Sequence, residues 1–338
     1  MANSKQVEKI LDRLGEVGFS EAYVRSLLPS WWDDSAASSP AGLSEFNLAL
    51  SRNLGVEVEG LSAVDPRVEF RLPHVRKLKR SVRYNDAQLT PAVSVALSAA
   101  RVAVQCVANR YTPLPSAERL RREILSDGNI KYLSLRALIR TCWNHGIPVL
   151  HVSRFPDGMP KMDGLAVVIS GRPAIVLSKS TSFSAWMGFV LAHEMGHVAC
   201  DHCADGEMIV DESLDETTYG DDTQDEQERQ ADNYAMALLA GGYDVSDLID
   251  HANSPEELAR VAMETQRHEG IDAGHLILKF AYQTKEWPLA IATLKAVDTK
   301  GRAIADILEA MRYELDADSV SKSSLAFLYR ACGIPVVD

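Results

Sequence analysis

Between Phe189 and Cys203 the chain reads FVLAHEMGHVACDHC, three histidines, a glutamate and two cysteines in an otherwise apolar run. His193 and His197 are four residues apart, so a helix carries both imidazoles on one face. Two imidazoles so spaced can share one zinc ion, and Glu194, beside the first, is placed to reach a water on that ion. This is the HExxH arrangement of zinc hydrolases, in which the glutamate is the general base and not a ligand. The stretch from Ser184 to Asp201 has no proline and reads as one helix, with Trp186, Phe189, Val190 and Met195 on its apolar side.

A catalytic zinc site needs a third protein ligand and an open fourth position. Metzincin spacing would require Gly at 200 and His at 203, and both positions are cysteine. Cys203 itself is one candidate, and with Cys200 it forms a CxxC pair whose alternatives are apolar filling of the helix end or a redox role. Glu228 is the other, in EQERQADNYAMALLAGG. There Ala231, Tyr234, Ala235, Leu238 and Leu239 continue a helical pattern, and Asp232, one turn after Glu228, is placed to orient a histidine through its second ring nitrogen. A second helix supplying a glutamate is the gluzincin solution, and it is the better match here. His202 reads as a polar helix end, and His145 and His151 as surface or packing residues. His268, His275 and Tyr282 are candidates to support an oxyanion, with His275 read as structural or exposed.

The elements that must position these groups change character along the chain. Residues 4–17 form an amphipathic pattern closed by Gly18; Ser20 caps a second short helix stopped by Pro29; Ser44 caps a third that ends at Gly55. In outline these resemble a helix-turn-helix module, but the segment is acidic. The paired Trp31 and Trp32 read as packing or partner contact. Helices are expected over 91–107, 117–125 and 133–143. The period then shifts to strands at 146–152, 165–171 and 173–180, with Gly171-Arg172-Pro173 as hairpin turn. After residue 244 the pattern is helical: 254–268, 273–283, 287–297, 301–314 and 319–331. The expected architecture is α+β and mostly helical, with a small three-stranded sheet packed on the HExxH helix as a zincin-like core. The expected organisation is an N-terminal helical domain (1–63), a basic linker (64–89), a core domain (90–243) and a C-terminal helical domain (244–338).

In this order the runs GIPVLHV, DGLAVVISGRPAIVLS, FVLAHEMGHV and ERQADNYAMALL resemble the ImmA/IrrE family of metallopeptidases, over roughly residues 90–243. The resemblance implies His193, His197 and Glu228 as zinc ligands and Glu194 as general base. It also implies a regulatory endopeptidase that cleaves one specific protein, a helix-turn-helix repressor or an antitoxin. The chain departs from the family pattern in Ala231-Asp232, where Ala-Asn is common, in a long acidic insertion before Glu228, and in a longer helical C-terminal region.

The net charge of −12 argues against non-specific nucleic-acid binding by the whole molecule. Charge is uneven: from Asp205 to Glu228 eleven of 24 residues are acidic and none basic, while Arg67 to Arg83 holds seven Lys or Arg against one acid. The first reads as a solvated loop that could also lie over the cleft, and the second as a linker including His74. The basic stretch FRLPHVRKLKR lends weak support to a sensor-type regulator that binds protein or DNA through its helical domains. Five irregularly spaced cysteines do not make a disulfide framework, so a reducing compartment is expected. No run of 18 apolar residues occurs, and the expected location is cytoplasmic, without a membrane partner.

Overall fold

A computed structural model describes residues 2–29, 32–73, 76–79, 86–211, 226–251 and 253–336. Trp31, His74 and the greater part of the acidic run lie outside these residues. The N-terminal part contains α1 (Ala2–Glu16), α2 (Glu21–Leu27), α3 (Pro40–Leu54), α4 (Val58–Leu61) and β1 (Arg76–Lys79). The central part contains α5 (Asp86–Gln105), α6 (Ala117–Leu125), α7 (Leu135–Asn144), β2 (Val149–His151), β3 (Gly164–Ile169), β4 (Arg172–Leu177), α8 (Ser184–Ala199), β5 (Met208–Asp211) and α9 (Glu226–Ala240). Six helices follow: α10 (Ser246–His251), α11 (Pro255–Glu269), α12 (Ala273–Thr284), α13 (Trp287–Val297), α14 (Ala303–Glu314) and α15 (Lys322–Ala331).

The fold is α+β and mostly helical, as expected. The sheet has five strands in the order β1-β5-β3-β4-β2, two more than the sequence pattern suggests. β3 is antiparallel to both β4 and β5, while β2 runs parallel to β4 and β1 parallel to β5. β5 lies inside the acidic run and β1 inside the basic stretch, so neither segment is wholly solvated. Four-residue strands bounded by charges carry too little alternation to be distinguished from loop.

Two local starts differ from the sequence reading for clear reasons. α3 begins at Pro40, with the Ser39 hydroxyl accepting from the Gly42 amide, and Ser44 lies one turn inside the helix. A serine cap followed by proline at the first helical position is the stronger start signal. The β3–β4 turn is Ser170-Gly171, with φ of 52° and 73°, and Arg172 and Pro173 already belong to β4. A two-residue hairpin needs positive φ at both turn positions, which proline cannot adopt. Pro173 is tolerated in β4 because β2 begins only opposite Ile175.

One hydrophobic core runs from Val7 to Ile334, so the first and last helices belong to the same packed body. The Tyr23 hydroxyl donates to the Arg154 carbonyl, and the Ser153 and Arg154 amides both donate to the Ala331 carbonyl. Trp32 stacks on Phe46 with centroids 4.8 Å apart, which is a packing role. Among the described residues one helix, Ala87–Gln105 of α5, is long and apolar enough to cross a membrane, and most of it is buried inside the fold. A second core, Ala185 with Val245 to Leu294, gathers the first turn of α8 with α10 to α13, and Trp186 packs against both cores.

α8 is buried from Met187 to Val198 on every side, as a helix at the centre of a packed body must be. Its start is fixed by Asp298, whose carboxylate accepts from the Ser184 amide at 2.6 Å. Gly196 sets its approach to α9, because a Cβ there would lie 2.8 Å from the Ala231 Cα and carbonyl oxygen. We therefore expect Gly196→Ala to cost about 1–3 kcal/mol through overpacking, read as a lowered midpoint in urea unfolding. An unchanged midpoint would mean the helices are not held at this crossing.

Candidate metal centre

His193, His197, Asp211 and Glu228 converge at the crossing of α8, α9 and the end of β5, and each offers a donor atom within 4.8 Å of the others. The two Nε2 atoms face each other at 3.0 Å. Asp211 Oδ2 lies 3.1 Å from His193 Nε2 and 3.7 Å from His197 Nε2. The Glu228 carboxylate approaches His193 to 3.5 Å and His197 to 3.6 Å. A tetrahedral ion with bonds of roughly 2.0–2.1 Å places its ligands about 3.3 Å apart, close to these separations. Three of the four residues are fully buried and Glu228 is 7% exposed.

Hydrogen bonding outside the cluster fixes the protons. His193 Nδ1 lies 2.8 Å from Asp232 Oδ1, and the carboxylate must be the acceptor, so Nδ1 carries the proton. Gln230 Nε2 donates to Glu226 Oε1 at 2.9 Å, which turns the Gln230 carbonyl toward His202 Nε2, also at 2.9 Å. His202 Nε2 is therefore a donor and its Nδ1 an acceptor for His197 Nδ1, 2.9 Å away. With both rings neutral, the two Nε2 atoms that face the centre are left as lone pairs. Two lone pairs 3.0 Å apart repel unless a cation lies between them, and two carboxylates add to the same point. The donor set fits a divalent metal ion.

Charge shifts point the same way. Burial alone would depress the pKa of His193, yet the charge of Asp211 and bonds to Asp211, Asp232 and Glu228 raise it well above the usual histidine range. Burial lowers His197 to about 4. Glu194 is pushed well above the ordinary carboxylate range, first by burial and then by the charge of Asp211. Its carboxylate fits only because residue 164 is glycine; a Cβ there would sit 1.8 Å from Glu194 Oε1. Gly164 is also the register partner of Asp211 across β3 and β5.

The structure brings together His193, His197, Glu194 and Glu228, all anticipated from sequence, with Asp232 in its expected orienting place. It does not gather Cys203, whose Sγ faces the Ala166 carbonyl at 3.8 Å, and Cys200 is exposed. His275 is buried against Gly188 of α8 and lines the same cavity as Tyr282. Tyr282 lines a cavity of about 30 Å³ with Trp186, Phe189, Met236, Leu239 and Trp287. Trp186 and Phe189 continue the His193–His197 stripe of α8, and Met236 continues the Glu228–Asp232 stripe of α9.

Three contributors escaped sequence reasoning: Asp211, His202 and Gln230. His202 is 5% exposed and is not a free helix end. α8 closes with the His202 amide donating to the His197 carbonyl and the Asp201 amide to Val198, with Asp201 at φ 53°. This Schellman turn folds His202 back onto His197. Its sequence signal is faint, because Asp and not Gly occupies the left-handed position. Gln230, two residues after Glu228, had only its place on the predicted helix to mark it.

No protein-family model, curated protein or solved structure matches the chain. The outer hydrogen bonds give a direct check. Asp232→Ala or His202→Ala should weaken zinc binding by roughly 10–100-fold in competition with a chromophoric chelator. Affinities equal to the unsubstituted protein would show that these residues do not orient the imidazoles.

Proposed function

We propose that the chain is a zinc-dependent endopeptidase that cleaves a specific protein, with the regulatory role the ImmA/IrrE resemblance implies. The observation that carries this reading is the pair of Nε2 lone pairs at 3.0 Å, with Glu194 on the same helix and Glu228 on a second. His193, His197 and Glu228 would hold the ion, and two imidazoles with carboxylate suit zinc. Bound there, zinc supplies Lewis acidity toward a peptide carbonyl and toward water.

The chain's own groups divide the remaining work. Glu194, whose carboxyl group burial and the charge of Asp211 hold well above its ordinary range, takes a proton from the attacking water and returns it to the leaving amine. Gly164 keeps room for that carboxylate. Asp232 and the His202–Gln230 pair hold the imidazole tautomers. The substrate class carried by the resemblance is a helix-turn-helix repressor or an antitoxin, met in the cytoplasm.

A second reading is a non-catalytic regulator with a closed metal centre. Asp211 favours it, because a fourth protein donor completes a tetrahedron in the manner of structural zinc sites. Newly formed protein N-termini separate the two readings. Incubated with an extract of the source cells, the purified protein should generate a small set of them, and Glu194→Gln, with metal retained, none. Equal sets from both proteins would end the peptidase reading. Gly164→Ala should mimic Glu194→Gln by displacing the carboxylate, with metal content unchanged.

A further inference from the structure

We infer that Asp211 is a displaceable fourth ligand, which seals the coordination position that hydrolysis requires and holds the centre latent until its side chain withdraws. The inference rests on the metal-centre reading above and adds its regulation. Three observations carry it.

The first is geometric. Asp211 Oδ2 stands 3.1 and 3.7 Å from the two imidazole nitrogens, within the same range as the Glu228 separations, so it is placed as a donor and not as a distant neighbour. The second is the division of the donors among elements. His193, His197 and Glu228 lie on α8 and α9, which cross at Gly196 and Ala231 with no spare room. That trio already meets the three-ligand requirement of a catalytic zinc site. Asp211 comes from neither helix. It is the last residue of β5, held through its backbone by the Asp163 amide at 2.7 Å and by its register with Gly164. Its side chain can therefore leave by a rotamer change while the strand stays paired.

The third observation is charge. Two neutral imidazoles and two carboxylates balance a divalent ion, whereas two imidazoles and Glu228 alone leave one positive charge in a buried site. The four-donor state is thus the better matched to an interior that water does not reach. The three-donor state becomes favourable when an anion, such as hydroxide or a substrate oxygen, takes the vacated place. Glu194 borders that place: Gly164, the register partner of Asp211, is the residue whose Cβ would meet Glu194 Oε1 at 1.8 Å.

The test uses the full chain with cobalt in place of zinc, so that visible absorption reports the coordination, and acetohydroxamate as an external ligand. The unsubstituted protein should hold one metal ion per chain and leave its spectrum unchanged at acetohydroxamate concentrations at least about tenfold above those that saturate Asp211→Ala. Asp211→Ala should still bind one ion. Asp211→Asn, which keeps the shape and removes the charge, should fall between them and serves if the alanine variant does not fold. Equal acetohydroxamate binding by the unsubstituted protein and Asp211→Ala would overturn the inference while leaving the metal centre intact. Complete loss of metal from a folded Asp211→Ala would also overturn it, making Asp211 an integral ligand of a closed site. Absence of metal from the unsubstituted protein would remove the metal-centre reading itself, and this inference with it.

Discussion

Two imidazole nitrogens, each a lone pair when its neutral ring keeps the proton on the opposite nitrogen, face each other at 3.0 Å in the interior of the protein. Nothing else in the structure is so demanding. A carboxylate beside such a pair can be tolerated by protonating one ring, and the raised pKa of His193 records that tendency. Two carboxylates, Asp211 and Glu228, within the same buried space require more compensation than one proton provides. A divalent cation satisfies all of them at once. The surrounding architecture is what keeps the donors from relaxing apart: α8 is enclosed on every side, Gly196 locks it to α9, and β5 is pinned to β3.

The outer hydrogen bonds are as much part of this constraint as the donors. Asp232 serves His193, and the sequence Glu226, Gln230, His202 serves His197, each partner fixing the next by donor and acceptor type. α9 therefore contributes four side chains within two turns: Glu226 and Gln230 to one histidine's orientation, Glu228 to the centre, and Asp232 to the other histidine. An amphipathic reading of that helix accounts for Ala231, Ala235, Leu238 and Leu239 as its packing face. It leaves exposed Glu226 and Gln230 looking like ordinary surface, although they orient a histidine through His202.

The difference between what was legible in sequence and what was not follows the range of the interactions. His193, His197 and Glu194 are related by helical periodicity alone, and the boundaries of α6 and α13 match their apolar pattern to the residue. Glu228 was legible because a second helix with its own periodicity carries it. Asp211 was not, because it ends a four-residue strand embedded in an acidic run, where one more aspartate conveys nothing about register. His202 was hidden by a left-handed aspartate in place of the usual glycine. The sheet was undercounted for the same reason as Asp211 was missed: β1 and β5 owe their existence to pairing partners distant in sequence, not to their own alternation.

α8 also links the two hydrophobic cores, and this gives the C-terminal helices a physical relation to the metal centre. Its first turn belongs to the second core: Ala185 packs there, the Trp186 and Trp287 rings lie 5.9 Å apart, and Asp298 caps the Ser184 amide. Its middle presses on α12, where a Cβ at Gly188 would meet His275 Nε2 at 2.9 Å. Its last two turns carry the ligands. A close-packed helix transmits displacement along its axis with little loss, because neighbouring side chains leave no void to absorb it. α12 and α13 pack directly on the helix that carries His193 and His197, while α9 and the sheet hold Glu228 and Asp211. The C-terminal helices thus help to fix where the ligand helix begins and how it lies, through Asp298, Trp287 and His275.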